Sequence, residues 1–279
     1  LIFRRGVLFA GYAFLLSCTR FGLFVWSISK HVLRGCRCLP DVLARAEREL
    51  PAGFFTLAAL ERFIRMGLAS RGYRNSFAGL PRVLLIPAID LNTAERVVFG
   101  TGELASVAIS DAVAASSAIP GFFDPYTIDG RDYVDGGVGF SGHADLAAAA
   151  GADVVFVVNP LVPNRVVNGG SMRARGVYTI MEQAGRIYSQ NLLQLGMASL
   201  AVKFPQTIFH LLQPSHDTEL MFGPSMGFEA SQAALRFGYS STRAWLDEQG
   251  AALLRQLECL YGEPPPYGSP DVRSAPAKP

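Results

Sequence analysis

The sequence has little net charge, few cysteines and no apolar segment long enough to span a bilayer. Its 25 basic and 23 acidic residues give a net charge of +2, which offers no electrostatic footprint for binding nucleic acid. Of the four cysteines, Cys36 and Cys38 form a C-x-C pair without a second pair at zinc spacing. We therefore expect reduced thiols in an intracellular protein, and neither a metal nor an organic cofactor.

The chain also lacks an internal linker rich in proline, glycine and serine. Half of its 279 residues are hydrophobic, which is enough for one large buried core. The end of the chain, in contrast, is rich in proline and poor in large apolar residues. We predict one domain over residues 1–261 and a disordered Pro-rich tail over residues 262–279.

The first thirty residues contain two apolar runs, 7–16 and 21–28, separated by Arg20. Neither run is long enough to cross a bilayer. Aromatic and basic residues alternate here, which favours a helix that is buried or lies at a membrane surface. A signal peptide is the alternative, but the chain starts with Leu1 and the second apolar run follows at once. We therefore expect a cytoplasmic or peripheral membrane location, with export as the less favoured reading.

Helical and extended patterns alternate along the chain. Apolar spacing and turn residues predict these elements, in order: helices within 41–69, strands at 82–91, 95–100 and "SVAI", a helix capped by Ser110, a hairpin turning at Asp129-Gly130, a short helix "ADLAAAA", a strand "DVVFVVNP", a helix over 175–201, a strand over 207–214, and a closing helical stretch bent or broken near Gly238. This alternation predicts an α/β fold with three layers, in which helices flank a mostly parallel central sheet. Residues 131–160 resemble a β-α-β unit, so we expect its two strands to be parallel neighbours.

Asp135 ends the second strand of the predicted hairpin and is followed by Gly136 and Gly137. Ligands of α/β sheets bind outside the carboxyl ends of strands, where this carboxylate would lie. The glycines allow backbone angles closed to other residues, and they leave room for a close neighbour. An ordinary strand-ending Asp-Gly turn has the same pattern, so the spacing alone leaves both interpretations open.

Three segments resemble the patatin-like phospholipases. They are "PAIDLNTAERVVFG", "ISDAVAASSAIPGFFDPYTIDGRDYVDGGV" and "GADVVFVVNPLVP". Their order and spacing match the family pattern A-S-x-A-x-P, F-x-P and I-D-G-x-x-Y-x-D-G-G. The resemblance covers roughly residues 50–248, and the later "LLQPSHDTELMFGPSM" and "RFGYSSTRAWL" resemble a bacterial branch.

The resemblance implies a lipid acyl hydrolase with a Ser-Asp dyad and without a catalytic histidine. In such enzymes, the serine of a Gly-x-Ser-x-Gly elbow attacks the ester, and the aspartate of D-G-G is its base. Asp135 matches that aspartate, and Gly136 and Gly137 form its supporting turn. The implied substrate is a phospholipid or another acyl-ester lipid, with membrane-surface contact through residues 1–30.

The chain departs from the family in one respect. No serine lies in Gly-x-Ser-x-Gly, and no loop matches the family's G-G-G-x-[RK]-G oxyanion pattern. Both features precede the matched region in the family. We therefore expect that an amino-terminal portion with the nucleophile is missing, that the fold is incomplete there, and that this chain alone is inactive. A non-catalytic relative that binds lipid or serves as a scaffold is the alternative.

Other residues invite chemical readings that their context does not favour. Ser116 and Ser117 end a predicted helix without an elbow glycine, so packing or capping explains them better. The string Gly100-x-Gly102-x-x-Ala105 resembles a dinucleotide fingerprint, but extended sequence follows it instead of a long helix.

The remaining polar residues are assigned supporting roles or none. His143 begins a helix at the rim of the site, whereas Asp90 and Asn92 form a turn that supports the site from behind. Asp111 suits the first turn of its helix, where a negative charge is favourable. His31 and His216 have no acidic or cysteine partners at metal-ligand spacing. His210 falls in a predicted strand, where we expect it to be a core residue.

Overall fold

The computed structural model describes residues 52–53, 55–139, 142–166, 171–214 and 228–262, with isolated positions at 22, 25, 26, 29, 30 and 33. The predicted segment 1–30, the first half of the predicted helices in 41–69 and the tail 263–279 therefore lie largely or wholly outside the described residues. In the part that is described, we find no helix both long and apolar enough to cross a membrane. The chain divides into two compact units, Leu1–Leu146 and Ala147–Pro279.

The first unit contains an antiparallel sheet and two well-defined helices. In chain order the elements are α1 (Ala58–Ser70), β1 (Ile86–Asp90), β2 (Glu95–Phe99), α2 (Ile109–Ser116), β3 (Tyr126–Ile128) and β4 (Arg131–Asp135). The strands pair in the order β2-β1-β4-β3, and every pairing is antiparallel. This order places β1 and β4 in the middle of the sheet.

The hairpin between β3 and β4 confirms the turn predicted at Asp129-Gly130. Both residues have positive φ, 49° at Asp129 and 77° at Gly130, as a two-residue type I′ turn requires. The Thr127 hydroxyl donates to Asp132 Oδ1 at 2.6 Å across the hairpin. The turn fixes the register that brings Asp135 to the end of β4.

The core of the first unit lies between α2 and the sheet. It consists of the small and aromatic residues Ala88, Phe99, Ala112, Ala115 and Tyr133. The Phe99 and Tyr133 rings meet edge to face with centroids 5.3 Å apart, a favourable arrangement of aromatic pairs. Alanines on α2 let the helix lie close to the central strands.

Two local predictions in this unit are wrong. The predicted strand "SVAI" is not a strand: Ser106 ends a 3-10 helix, Gly102–Ser106, Val107 and Ala108 are extended, and Ile109 begins α2. Ser110 does not cap α2, because Ala108 occupies the N-cap position without a side-chain bond. The Ser110 hydroxyl instead bonds Asn75 and Glu61, so a tertiary contact replaces the local one.

The second unit contains a parallel pair of strands and two long helices. After α3 (Ala144–Ala149), the elements are β5 (Val154–Val158), α4 (Gly176–Lys203), β6 (Ile208–Leu212) and α5 (Phe228–Tyr261). β5 and β6 run parallel, with Val154 opposite Ile208 and Val158 opposite Leu212. α5 continues through Gly238, so the helical stretch that we predicted to be bent or broken near this residue is not broken there.

The α/β class predicted from the sequence is confirmed, but the described strands form two sheets. The four-stranded sheet is antiparallel, and only β5 and β6 are parallel. The expected β-α-β unit is therefore wrong in its pairing, because β4 pairs with β1 and β3 whereas β5 pairs with β6. A run of apolar residues identifies a strand but does not specify its neighbour.

Candidate active site

Asp135 is held in place by backbone contacts on two sides. It is the last residue of β4 and lies opposite Ala88 of β1. Its N–H donates to the carbonyl oxygen of Ala118, just beyond the end of α2, at 3.0 Å. The central strand and the segment after α2 therefore fix the backbone from which the carboxylate projects.

The Asp135 carboxylate is mostly buried and has one backbone hydrogen-bond donor. Gly137 N–H donates to Asp135 Oδ1 at 2.7 Å, so the side chain caps a short 3-10 helix, Gly136–Val138. Burial raises the pKa of Asp135, and the bond from Gly137 opposes only part of that rise. The result is a carboxylate that binds a proton more readily than an ordinary aspartate, as a general base requires.

Gly136 and Gly137 are needed for space and not for unusual backbone angles. Neither has a positive φ, so the part of the sequence prediction that invoked special angles is wrong. A Cβ on Gly136 would lie 2.7 Å from the Pro87 carbonyl oxygen and 3.1 Å from His143 Nε2. A Cβ on Gly137 would lie 3.1 Å from Asp135 Oδ1. The close approach of other atoms therefore explains both glycines.

His143 lies immediately before α3, as predicted, and contacts the same turn. Its ring Nε2 lies 3.0 Å from the Gly136 carbonyl oxygen, and its Nδ1 lies 3.5 Å from Arg96 Nη1. The residue has a φ of 40°, a left-handed conformation that is uncommon outside glycine but that histidine adopts more often than most residues. Burial is the main cause that lowers the pKa of His143, and the Arg96 charge adds to it.

Arg96 and Asp145 also surround His143, and sequence reasoning missed both. Arg96 Nη1 and Nη2 donate to the two carboxylate oxygens of Asp145 at 3.0 and 2.7 Å. Burial acts to raise the pKa of Asp145, but the hydrogen bonds and charge of Arg96 outweigh it and the pKa is lowered. The two residues are 49 positions apart, and no local pattern in the sequence pairs them.

Asp90 ends β1, Asn92 lies in the turn just after it, and both contact neighbouring backbone. Asp90 is fully buried, and its Oδ1 accepts from the N–H groups of Asn92 and Thr93 at 2.8 and 3.2 Å. Asn92 Oδ1 accepts from Asp132 N–H at 2.9 Å, which ties the turn to β4. Asp90 lies opposite Tyr133, two residues along from Ala88, or about 7 Å from the level of Asp135. The pair stabilises the strands through hydrogen bonds to the turn and to β4, and not through a bond to the Asp135 carboxylate.

The alternative sites have structural explanations. Ser117 is the C-cap residue of α2, and its hydroxyl donates to the Val113 carbonyl at 2.8 Å. Ser116 ends the same helix. The glycine string after β2 opens only the five-residue 3-10 helix, which is unlike a dinucleotide-binding turn.

Three further assignments can be placed. Asp111 lies in the first turn of α2, as predicted, and its Oδ1 also accepts from the Tyr126 hydroxyl at 2.7 Å. His210 is in β6, and its ring stacks on Phe156 with centroids 5.3 Å apart. His31 and His216 lie outside the described residues.

Part of the chain matches a known protein family. Residues 41–147 match the family model described as Patatin-like phospholipase. The match includes Asp135, the two glycines, His143 and the Arg96–Asp145 pair. This segment is thus similar to a family of lipid acyl hydrolases, and the α/β architecture of the chain is consistent with that family.

Proposed function

We propose that this chain carries the general base of a lipid acyl hydrolase, and that Asp135 is that base. The observation that carries the proposal is a mostly buried carboxylate with a raised pKa, on a strand-ending D-G-G turn, inside a segment that matches patatin-like phospholipases. The substrate class is a phospholipid or another acyl-ester lipid. Membrane-surface contact through residues 1–30 and a cytoplasmic or peripheral location belong to the same proposal.

In this reaction, Asp135 works with a serine hydroxyl in a dyad. The carboxylate accepts the serine proton as the hydroxyl oxygen attacks the ester carbonyl, and the protonated acid then delivers that proton to the leaving alkoxide. Water enters next, gives its proton to Asp135 and attacks the acyl carbonyl, and the protonated Asp135 then returns that proton to the serine oxygen as the fatty acid is released. The raised pKa assists the two proton abstractions, from serine and from water, because a more basic carboxylate takes a proton more readily.

In this proposal, the nucleophile of the dyad lies outside these 279 residues. The family resemblance assigns it to a Gly-x-Ser-x-Gly elbow before the matched region, and the 279 residues contain no such motif. The same holds for the glycine-rich oxyanion loop. Without nucleophile and oxyanion donors little rate enhancement remains, so we expect the printed chain alone to be inactive.

The missing motif also supports a second candidate, a non-catalytic relative that binds lipid or serves as a scaffold. The two candidates differ in what the natural gene product encodes and does. A Gly-x-Ser-x-Gly segment before the matched region, with ester release from the natural product, supports the hydrolase. A gene product without that segment that binds lipid vesicles and releases no fatty acid supports the relative.

The decisive experiment measures fatty-acid release from phospholipid vesicles by the natural gene product and its variants. Asp135→Asn is expected to reduce turnover at least about 100-fold, because the amide cannot accept the serine proton. Asp129→Asn is the matched control, since it removes the same charge at an exposed hairpin position where asparagine tolerates the positive φ. Full turnover in Asp135→Asn would refute the role of Asp135.

Membrane contact is tested separately by flotation with liposomes. The chain without residues 1–30 is expected to float less than the full chain. Equal flotation of the two would argue against a membrane role for this segment.

A further inference from the structure

The hydrogen-bonding partners of His143 determine which ring nitrogen carries the proton. The Gly136 carbonyl can only accept, so Nε2, at 3.0 Å from it, must be the donor. The Arg96 guanidinium can only donate, so Nδ1, at 3.5 Å from Nη1, must be the acceptor. Both conditions are met only by the neutral ring with its proton on Nε2.

Arg96 is itself fixed in a position that favours this tautomer. Its two terminal nitrogens bind both oxygens of Asp145, a bidentate geometry that orients the guanidinium plane. The charged groups facing the ring are Arg96, from β2, and Asp145, from the helix that follows His143. The turn after β4 presents the Gly136 carbonyl. Burial and the Arg96 charge disfavour the imidazolium, in agreement with the lowered pKa of His143.

One peptide group connects His143 to Asp135. The Gly136 carbonyl and the Gly137 N–H belong to the same planar amide, whose atoms move together. The carbonyl accepts from His143 Nε2, and the N–H donates to Asp135 Oδ1 at 2.7 Å. Hydrogen bonds in such a chain polarise one another, so a donor at the carbonyl strengthens the bond to the carboxylate.

We propose that His143 is a positioning residue that orients the Asp135 carboxylate through the Gly136–Gly137 peptide group. The inference rests on the proposed role of Asp135 as the base. His143 touches neither the substrate nor the reacting atoms in this arrangement. His143 orients the plane of the Gly136–Gly137 amide, and the N–H of that amide orients Asp135 Oδ1.

The tautomer of His143 is tested in the 279-residue chain, without any assay of activity. Long-range ¹H–¹⁵N spectra distinguish the two ring nitrogens, and the absence of one pair of signals in His143→Gln assigns His143. We expect the neutral Nε2–H form at pH 7, and a mixture of tautomers in Arg96→Met. Arg255→Met, at an exposed position on α5, is the matched control. An Nδ1–H ring or an imidazolium at pH 7 would overturn the assignment.

The coupling to Asp135 is tested by titrating its carboxyl ¹³C signal in three proteins. In His143→Leu the amide loses its donor, so the titration midpoint of Asp135 is expected to rise. His143→Gln restores an N–H donor with the same backbone strain and is expected to return the midpoint towards that of the wild type. A folded His143→Leu protein with an unchanged midpoint would refute the coupling.

The effect on hydrolysis is measured in the natural gene product. His143→Leu is expected to lower kcat about 10- to 100-fold with little change in KM, as expected for a misplaced catalytic group, and His143→Gln is expected to recover most of it. If turnover needs Asp135 but is unaffected by His143→Leu, only the present inference fails. If Asp135→Asn retains full turnover, the proposed function fails, whereas the tautomer result stands.

Discussion

At the scale of single residues, the site depends on how closely backbone atoms approach Asp135. The carboxylate bonds Gly137 N–H, and Gly136 lies against the Pro87 carbonyl where a methyl group does not fit. These contacts affect two properties that can be measured separately, the free energy of unfolding and the pKa of the carboxyl group. Two predictions follow from that separation.

Substitution of Gly136 by alanine is expected to destabilise the protein more than the same change at Gly137. The Gly136 Cβ would meet a backbone oxygen of β1 at 2.7 Å, so the strand itself must shift, at a cost of about 1–3 kcal/mol. The Gly137 Cβ would meet only the Asp135 side chain, at 3.1 Å. Urea denaturation of both variants measures the difference. Equal free energies of unfolding would contradict this explanation of Gly136.

Replacing Asp135 by asparagine is expected to raise the melting temperature at pH 7. Because the pKa of Asp135 is raised in the folded protein, its contribution to stability is fully present below the ordinary value of 3.8 and is lost as pH rises through the folded pKa. Asparagine keeps an oxygen for Gly137 N–H and avoids the buried charge. Calorimetry at pH 7 and pH 4 should show a gain that shrinks in acid, with Asp129→Asn as control. An unchanged or lower melting temperature at pH 7 would oppose the assignment.

At the scale of secondary structure elements, features set by neighbouring residues could be predicted from the sequence, whereas features set by tertiary contacts could not. The Asp129-Gly130 turn was predictable because an Asp-Gly pair favours positive φ at both residues, and those two angles specify the turn. The Arg96–Asp145 pair was not, since its partners are 49 positions apart and meet only after β2 and α3 are placed. The pairing of β5 with β6 was unpredictable for the same reason, because the 28 residues of α4 separate the two strands in the sequence.

The contact between α1 and α2 gives a prediction at this scale. Ser110 is fully buried, and its hydroxyl accepts from Asn75 at 2.7 Å and donates to Glu61 of α1 at 3.0 Å. Ser110→Ala leaves these groups without that partner and is expected to cost about 1–3 kcal/mol of unfolding free energy. Ser106→Ala, at an exposed serine nearby, is expected to change it by less than about 0.5 kcal/mol. A loss at Ser110 no larger than at Ser106 would mean that the contact does not stabilise the helix pair.

At the scale of the whole molecule, the titrating groups of the site favour different pH ranges. The raised pKa of Asp135 makes its charged form a cost near neutral pH, whereas the lowered pKa values of His143 and Asp145 make acid unfavourable for the fold. The turn after β4 is thus most compatible with its neighbours when His143 is neutral and Asp145 is charged.

The stability of the chain is therefore expected to fall as the pH drops below 6.5, partly through His143. Because its pKa is lowered on folding, its contribution is present above the unfolded value of 6.5 and is lost as pH falls through the folded pKa. His143→Gln cannot titrate, so its melting temperature should fall less between pH 7 and pH 5. Parallel curves for the two proteins would show that His143 has the same pKa in the folded and unfolded states.

The lack of room beside Gly136 also limits how the site can be altered. A backbone oxygen of β1 lies on one side of Gly136 and a ring nitrogen of His143 on the other, so no side chain fits at this position. Neither natural drift nor laboratory evolution can therefore adjust the properties of the Asp135 carboxyl group through a substitution at Gly136. Useful diversity in a mutant library would have to be directed at positions 96, 143 and 145, which act on it from a distance.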